Sequence, residues 1–133
     1  MIPHVLGWVR KGNTVHCMGR IIGWTAAAIT QATISTITYS VFALDPDDED
    51  SETVQEGHED VSVTIASAVY DTYQTGGAWT EAGGDATGYN FAHTVPIAVY
   101  PAFPVRGVDY LIRFSLTPTS GQVIDVPFRV NAV

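Results

Sequence analysis

Residues 109–117 read DYLIRFSLT, and the alternation within that stretch decides the fold class. Tyr110, Ile112, Phe114 and Leu116 fall on one side of an extended chain, with Leu111, Arg113, Ser115 and Thr117 on the other, because successive side chains of a strand point to opposite faces. A strand with one largely apolar and one more polar side belongs to an antiparallel sheet that is wet on one face. The C-terminal stretch QVIDVPFRVNAV (122–133) repeats the pattern, Val126, Phe128 and Val130 alternating with Pro127, Arg129 and Asn131. Between the two, TPTSGQ supplies the Pro and Gly of a short hairpin loop, so these strands pair. Pro127 predicts an edge position or a bulge, since proline donates nothing to a ladder.

Working outward, TVHCMGRII (14–22), TISTITYSVFAL (33–44), DVSVTIASAVYDT (60–72) and NFAHTVPIAVY (90–100) are rich in β-branched and aromatic residues. Gly, Pro, Asp and Ser separate them, the punctuation of a chain of short strands. TAAAITQAT (25–33) is too short and uncapped for a stable helix and reads as a turn or bridging strand. The expected fold is all-β: an immunoglobulin-like antiparallel β-sandwich of about seven strands in a single domain spanning 1–133, with a small barrel as the alternative. Tyr110 stands early in the penultimate strand, where a tyrosine corner sits.

Composition narrows the function classes. The chain carries no apolar run long enough to cross a membrane as a helix, and its N-terminus lacks the charged and apolar segments of a signal peptide, which predicts a cytoplasmic protein. One cysteine, Cys17, excludes an intrachain disulfide framework and reads as a small buried hydrophobe. All six basic residues lie near the two ends, and residues 21–105 contain none. With a pI near 4.6 the chain lacks the basic face that nucleic-acid binding requires.

The middle of the chain is acidic. DPDDEDSETVQEGHED (45–60) holds nine carboxylates and no Lys or Arg. Asp45, Asp47, Glu49, Ser51 and Glu56 match positions 1, 3, 5, 7 and 12 of an EF-hand count, but position 6 is Asp50 instead of Gly, Pro46 is at position 2, and the flanks read as strands. A solvated loop is the reading that charge runs usually bear, and a docking surface for a basic partner is the functional one, with Asp45, Asp47, Asp48, Glu49, Asp50 and Glu52 as the partner-binding residues.

No catalytic constellation emerges. His4, His16, His58 and His93 show no metal-ligand spacing, and His16 and Cys17, adjacent in a strand, point to opposite faces. GGDATG (83–88) lacks the Lys and helix of a phosphate cradle and reads as a turn. Asp71, Glu81 and Asp85 are carboxylates whose convergence the sequence does not specify. Trp79, Tyr70, Tyr73, Tyr89 and Tyr100 suit either a sandwich core or a sugar-stacking platform. No catalytic residue, metal or cofactor is expected, and the chain reads as a non-enzyme.

Several stretches together, GNTVHCMGRI, TISTITYSVF, TGYNFAHTVPIAVYPAFPVRGVDYLIRFSLTPTSGQ and VPFRVNAV, resemble the immunoglobulin-like modules of tailed-phage virion proteins, including the N-terminal domain of phage baseplate upper proteins. Gly88, Tyr89 and Phe91, then Pro96, then Tyr110 and Phe114, then Gly121 hold the places of that pattern. The resemblance implies a structural protein of a virion, assembled in the host cytoplasm, whose partners are copies of itself or other virion proteins. A carbohydrate-binding sandwich is the alternative.

Overall fold

The computed structural model describes residues 4–23, 26–45, 47–81 and 85–133. In chain order the strands are β1 (His4–Val9), β2 (His16–Gly19), β3 (Ile34–Asp45), β4 (Asp48–Val54), β5 (Val61–Val63), β6 (Val69–Gln74), β7 (Tyr89–Thr94), β8 (Asp109–Pro118) and β9 (Ile124–Ala132). Two helical turns, α1 (Ile65–Ala68) and α2 (Gly77–Glu81), and a 3-10 turn at Gln31–Thr33 complete the described elements.

The strands form two sheets. The larger runs β1-β9-β8-β3-β4, with β5 also on β3, and the smaller runs β2-β7-β6. Every pairing is antiparallel except β1 on β9. The sheets pack face to face: Phe91 of the small sheet meets Phe114 of the large one edge-on at 4.9 Å between ring centroids, and Cys17, Val69, Tyr39, Ile112 and Phe128 share the same buried cluster. The molecule is therefore a β-sandwich, as the alternation in 109–117 predicts. Tyr110, Ile112, Phe114 and Leu116 are all buried on the inner face, and Leu116 pairs with Ile124 where the predicted β8–β9 hairpin closes.

Among the described residues the sandwich has nine strands, where the sequence predicts about seven. β1 is short, its register on β9 shifts between Val5 and Gly7, and it is held by the distant β9 rather than by a sequence neighbour. The expected loop over 45–60 is corrected in its first half, because residues 48–54 form β4, with Phe42 opposite Val54 and Leu44 opposite Glu52. Tertiary pairing with the β-rich β3 overrides a composition that disfavours strands. The expected single strand 60–72 is divided, since β5 belongs to the large sheet, β6 to the small one, and α1 carries the chain between them. The described part of TAAAITQAT forms turns, with Ile22 opposite Ala28 in one isolated pairing and a 3-10 turn at Gln31–Thr33, while Thr25 lies outside the described residues. Pro127 faces Arg113, and among the described residues β1 pairs with β9 only from Phe128 onward, which leaves the outer side of Pro127 without a described partner.

Candidate functional site

The acidic run is distributed around the far edge of the large sheet. Asp45 ends β3 and its Oδ1 accepts the Asp47 N–H at 2.9 Å, closing the turn into β4. Asp45, Asp47 and Asp48 are exposed, while the side chains of Glu49 and Asp50 lie outside the described residues. Glu52 is engaged inside the molecule: one Nη of Arg113 donates to both of its carboxylate oxygens at 2.9 and 3.1 Å. The same guanidinium lies over the Phe42 ring at 4.9 Å, so this pair clasps β4, β3 and β8 across the outer face. The hairpin also separates the EF-hand positions. Val54 faces Phe42, which puts Glu56 about five residues along the strands from Asp45, about 17 Å at the rise of a strand, far beyond the reach of one cation. Among the described residues no three His, Cys, Asp or Glu side chains gather as a metal site.

Past β4 the chain turns through Gly57 and His58 against the loop that follows β7. His58 is buried, with Nε2 donating to the Tyr100 carbonyl at 2.9 Å. A carbonyl only accepts, so Nε2 carries a proton, and Nδ1 makes a second hydrogen bond with the Tyr39 hydroxyl at 2.9 Å. Burial pushes the Tyr39 phenol up to about 12, which keeps it a donor. Gly57 has φ +80°, and a Cβ there would lie 2.2 Å from Cδ2 of Tyr100, so only glycine lets that ring rest on the turn. With Val61, Pro96 and Val99 these residues border a notch of about 170 Å³.

The predicted aromatic set divides. Tyr70 meets Tyr89 edge-on at 5.7 Å, Trp79 packs on Tyr89 at 5.5 Å, and Arg20 lies over Tyr73 at 5.7 Å. Tyr100 belongs to the notch on the other loop. Arg20 also donates through Nε to the Gly88 carbonyl at 2.9 Å and pairs with Asp85. The Asp85 carboxylate accepts the Thr87 and Gly88 N–H groups at 3.1 and 3.2 Å, and the Gly88 and Arg20 bonds hold its pKa down. Residues 85–88 are thus the turn expected from GGDATG. Asp71 accepts the Gln31 N–H, distant in the chain, at 2.7 Å, while the Glu81 side chain lies outside the described residues; Asp71 and Asp85 each satisfy backbone N–H groups.

Cys17 and His93 face one another across β2 and β7, a pairing that sequence spacing does not reveal. Burial pushes the Cys17 thiol well above its ordinary range, so it stays protonated and packs as an apolar side chain. Among the described residues His93 Nε2 is buried without a hydrogen-bond partner, its ring tilted against Tyr39 at 5.6 Å and edge-on to Phe114 at 5.8 Å. His16 Nδ1 lies 2.6 Å from the Thr94 hydroxyl, and the His4 side chain is outside the described residues. Comparison with known protein families, curated proteins and solved structures finds no match.

Proposed function

We propose that this chain is a non-catalytic structural module of a phage or virus-like particle, an adaptor, neck, tail or capsid-decoration protein that acts through protein–protein contacts. The observation that carries the reading is the placement of charge at one end of the large sheet. There β3 turns into β4 at Asp45, Asp47 and Asp48, beside an edge that pairs with no further strand among the described residues. The register brings the end of β1, with exposed Arg10 and Lys11, and the approach to β8, with exposed Arg106, to that same end. β1 and β4 stand four strand spacings apart, about 19 Å, so the end is negative on one side and positive on the other. Such a separation orients an incoming protein, and an acidic edge of this kind repels nucleic acid. The virion context, with assembly in the host cytoplasm, rests on the resemblance carried by Gly88, Tyr89, Phe91, Pro96, Tyr110, Phe114 and Gly121.

The test is mass spectrometry of particles purified from the source. The chain is expected in stoichiometric amount and lost with the particles in a density gradient; absence from them sinks the virion assignment. A second reading, a carbohydrate-binding module, draws on the Tyr70, Tyr89 and Trp79 cluster beside Arg20, since aromatic faces near a charged side chain suit a sugar. Tryptophan fluorescence that stays unchanged in titrations with common polysaccharides removes it.

A further inference from the structure

We infer that a second copy of this chain docks through Trp8, Arg10 and Lys11 into the notch of Gly57, His58, Val99 and Tyr100, so that copies associate head to tail. The inference rests on the interaction-module reading above and names its partner.

The receiving surface is apolar, exposed and held in shape. The loop VPIAVYPAFPV (95–105) carries no charge, yet Val99 is 82% exposed and Tyr100 42%, while Ala102 and Phe103 just beyond are buried. The bond from His58 to the Tyr100 carbonyl and the seat of its ring on Gly57 fix this loop, so little order has to be gained on binding. The notch, about 170 Å³, is of a size to admit one large side chain. Glu56, Glu59 and Asp60 follow and precede its lining residues in the chain, all exposed and in no ion pair among the described residues. A large apolar group on a cationic segment is the chemistry that fits.

The chain carries such a segment. Trp8 is 72% exposed, and Arg10 and Lys11 beside it are exposed and outside any ion pair among the described residues. The Lys11 N–H donates to the Val133 carbonyl at 2.9 Å and the Val133 N–H to the Val9 carbonyl at 2.7 Å, so this segment is also fixed. One molecule cannot satisfy itself. Trp8 is opposite Asn131 on the outer face of the large sheet at its β1 edge, whereas the notch opens over Tyr39, an inner-face residue on the β3 side. Two different patches on opposite sides make a heterologous contact, which closes into a ring or extends as a filament, and tryptophan in a pocket is a frequent hot spot of such contacts.

Sedimentation or light scattering of the whole chain against concentration tests this, with Trp8→Ser and Val99→Asp. Both positions are exposed, so the variants should keep the wild-type far-UV spectrum and melt. Wild type is expected to exceed the 14.3 kDa monomer mass, and each variant to weaken self-association on the order of 10-fold or more. Mixed one to one, the two variants should form a dimer and stop there, because Trp8 of one still meets the notch of the other. A wild type that is monomeric up to about 1 mM, or an oligomer that both variants leave intact, overturns the inference. If that monomer is still found in particles, the self-contact fails while the structural-module reading stands; a head-to-tail oligomer absent from particles has the opposite meaning.

Discussion

Single polar side chains take over from backbone pairing where the sheets give way to loops. The Tyr110 hydroxyl accepts the Val105 N–H at 2.9 Å, five residues upstream, the bond that defines a tyrosine corner, while its ring packs edge-on against Phe103 at 5.4 Å. Tyr110→Phe keeps the ring and removes the bond, and a loss of about 1–2 kcal/mol is expected in urea unfolding. Asn90 does more. Its buried amide accepts the Ile21 N–H at 2.7 Å and donates to the Ile21 carbonyl at 2.9 Å, pinning Ile21 to β7 of the small sheet. Asn90→Ala leaves the Ile21 N–H unpaired, while the Ile21 carbonyl keeps the Ile29 N–H at 3.2 Å, at a cost on the order of 1–3 kcal/mol by the same measurement. His93 sets a pH dependence. Burial, with the charge of His16 second, lowers its pKa. The unfolded chain therefore takes up a proton first as pH falls through about 6.5, so this contribution is complete above that value and lost as pH falls further toward the folded-state pKa. His93→Phe, which removes the unpartnered Nε2 and keeps a ring against Phe114, should flatten the decline in urea midpoint between about pH 7.5 and 5 and be at least as stable at low pH; an unchanged slope would assign the effect elsewhere.

Among the elements, β4 depends most on its neighbours. DEDSETV has little intrinsic tendency to extend, and among the described residues the strand is an edge, with a sequence rich in carboxylates. Arg113 supplies the compensation by reaching from β8 across β3 to Glu52 while covering Phe42. The pair is about one-third exposed on both sides, which limits the ion pair to about 0.5 kcal/mol, with a similar amount from the ring contact. Arg113→Ala should cost about 1 kcal/mol, and a double-mutant cycle with Glu52→Gln should recover roughly half of that as coupling. Hydrogen exchange should find β4 amides opening well before those of β3, β8 and β9; equal protection would mean that the edge is covered.

For the molecule as a whole, Phe114 is the point where the sheets meet. Its ring contacts Tyr39, Phe91, His93 and Phe128 at centroid separations of 5.9, 4.9, 5.8 and 5.7 Å. Phe114→Ala opens a cavity at the centre of the sandwich, and a loss of about 3–5 kcal/mol, enough to unfold a large share of a chain of ordinary stability, is expected in thermal or urea denaturation. By itself the sequence determined the class of fold, the β8–β9 hairpin, the edge at Pro127, the turn at 85–88 and the placing of Tyr110, because period-two alternation, proline and turn chemistry act over a few residues. Only the tertiary structure decided that the acidic run contributes a strand, that β1 lies on β9, that His58 joins Tyr39 to Tyr100, and that Cys17 faces His93. Each of those depends on register between segments far apart in the chain, where a partner's burial and hydrogen bonds outweigh the local preference of either segment.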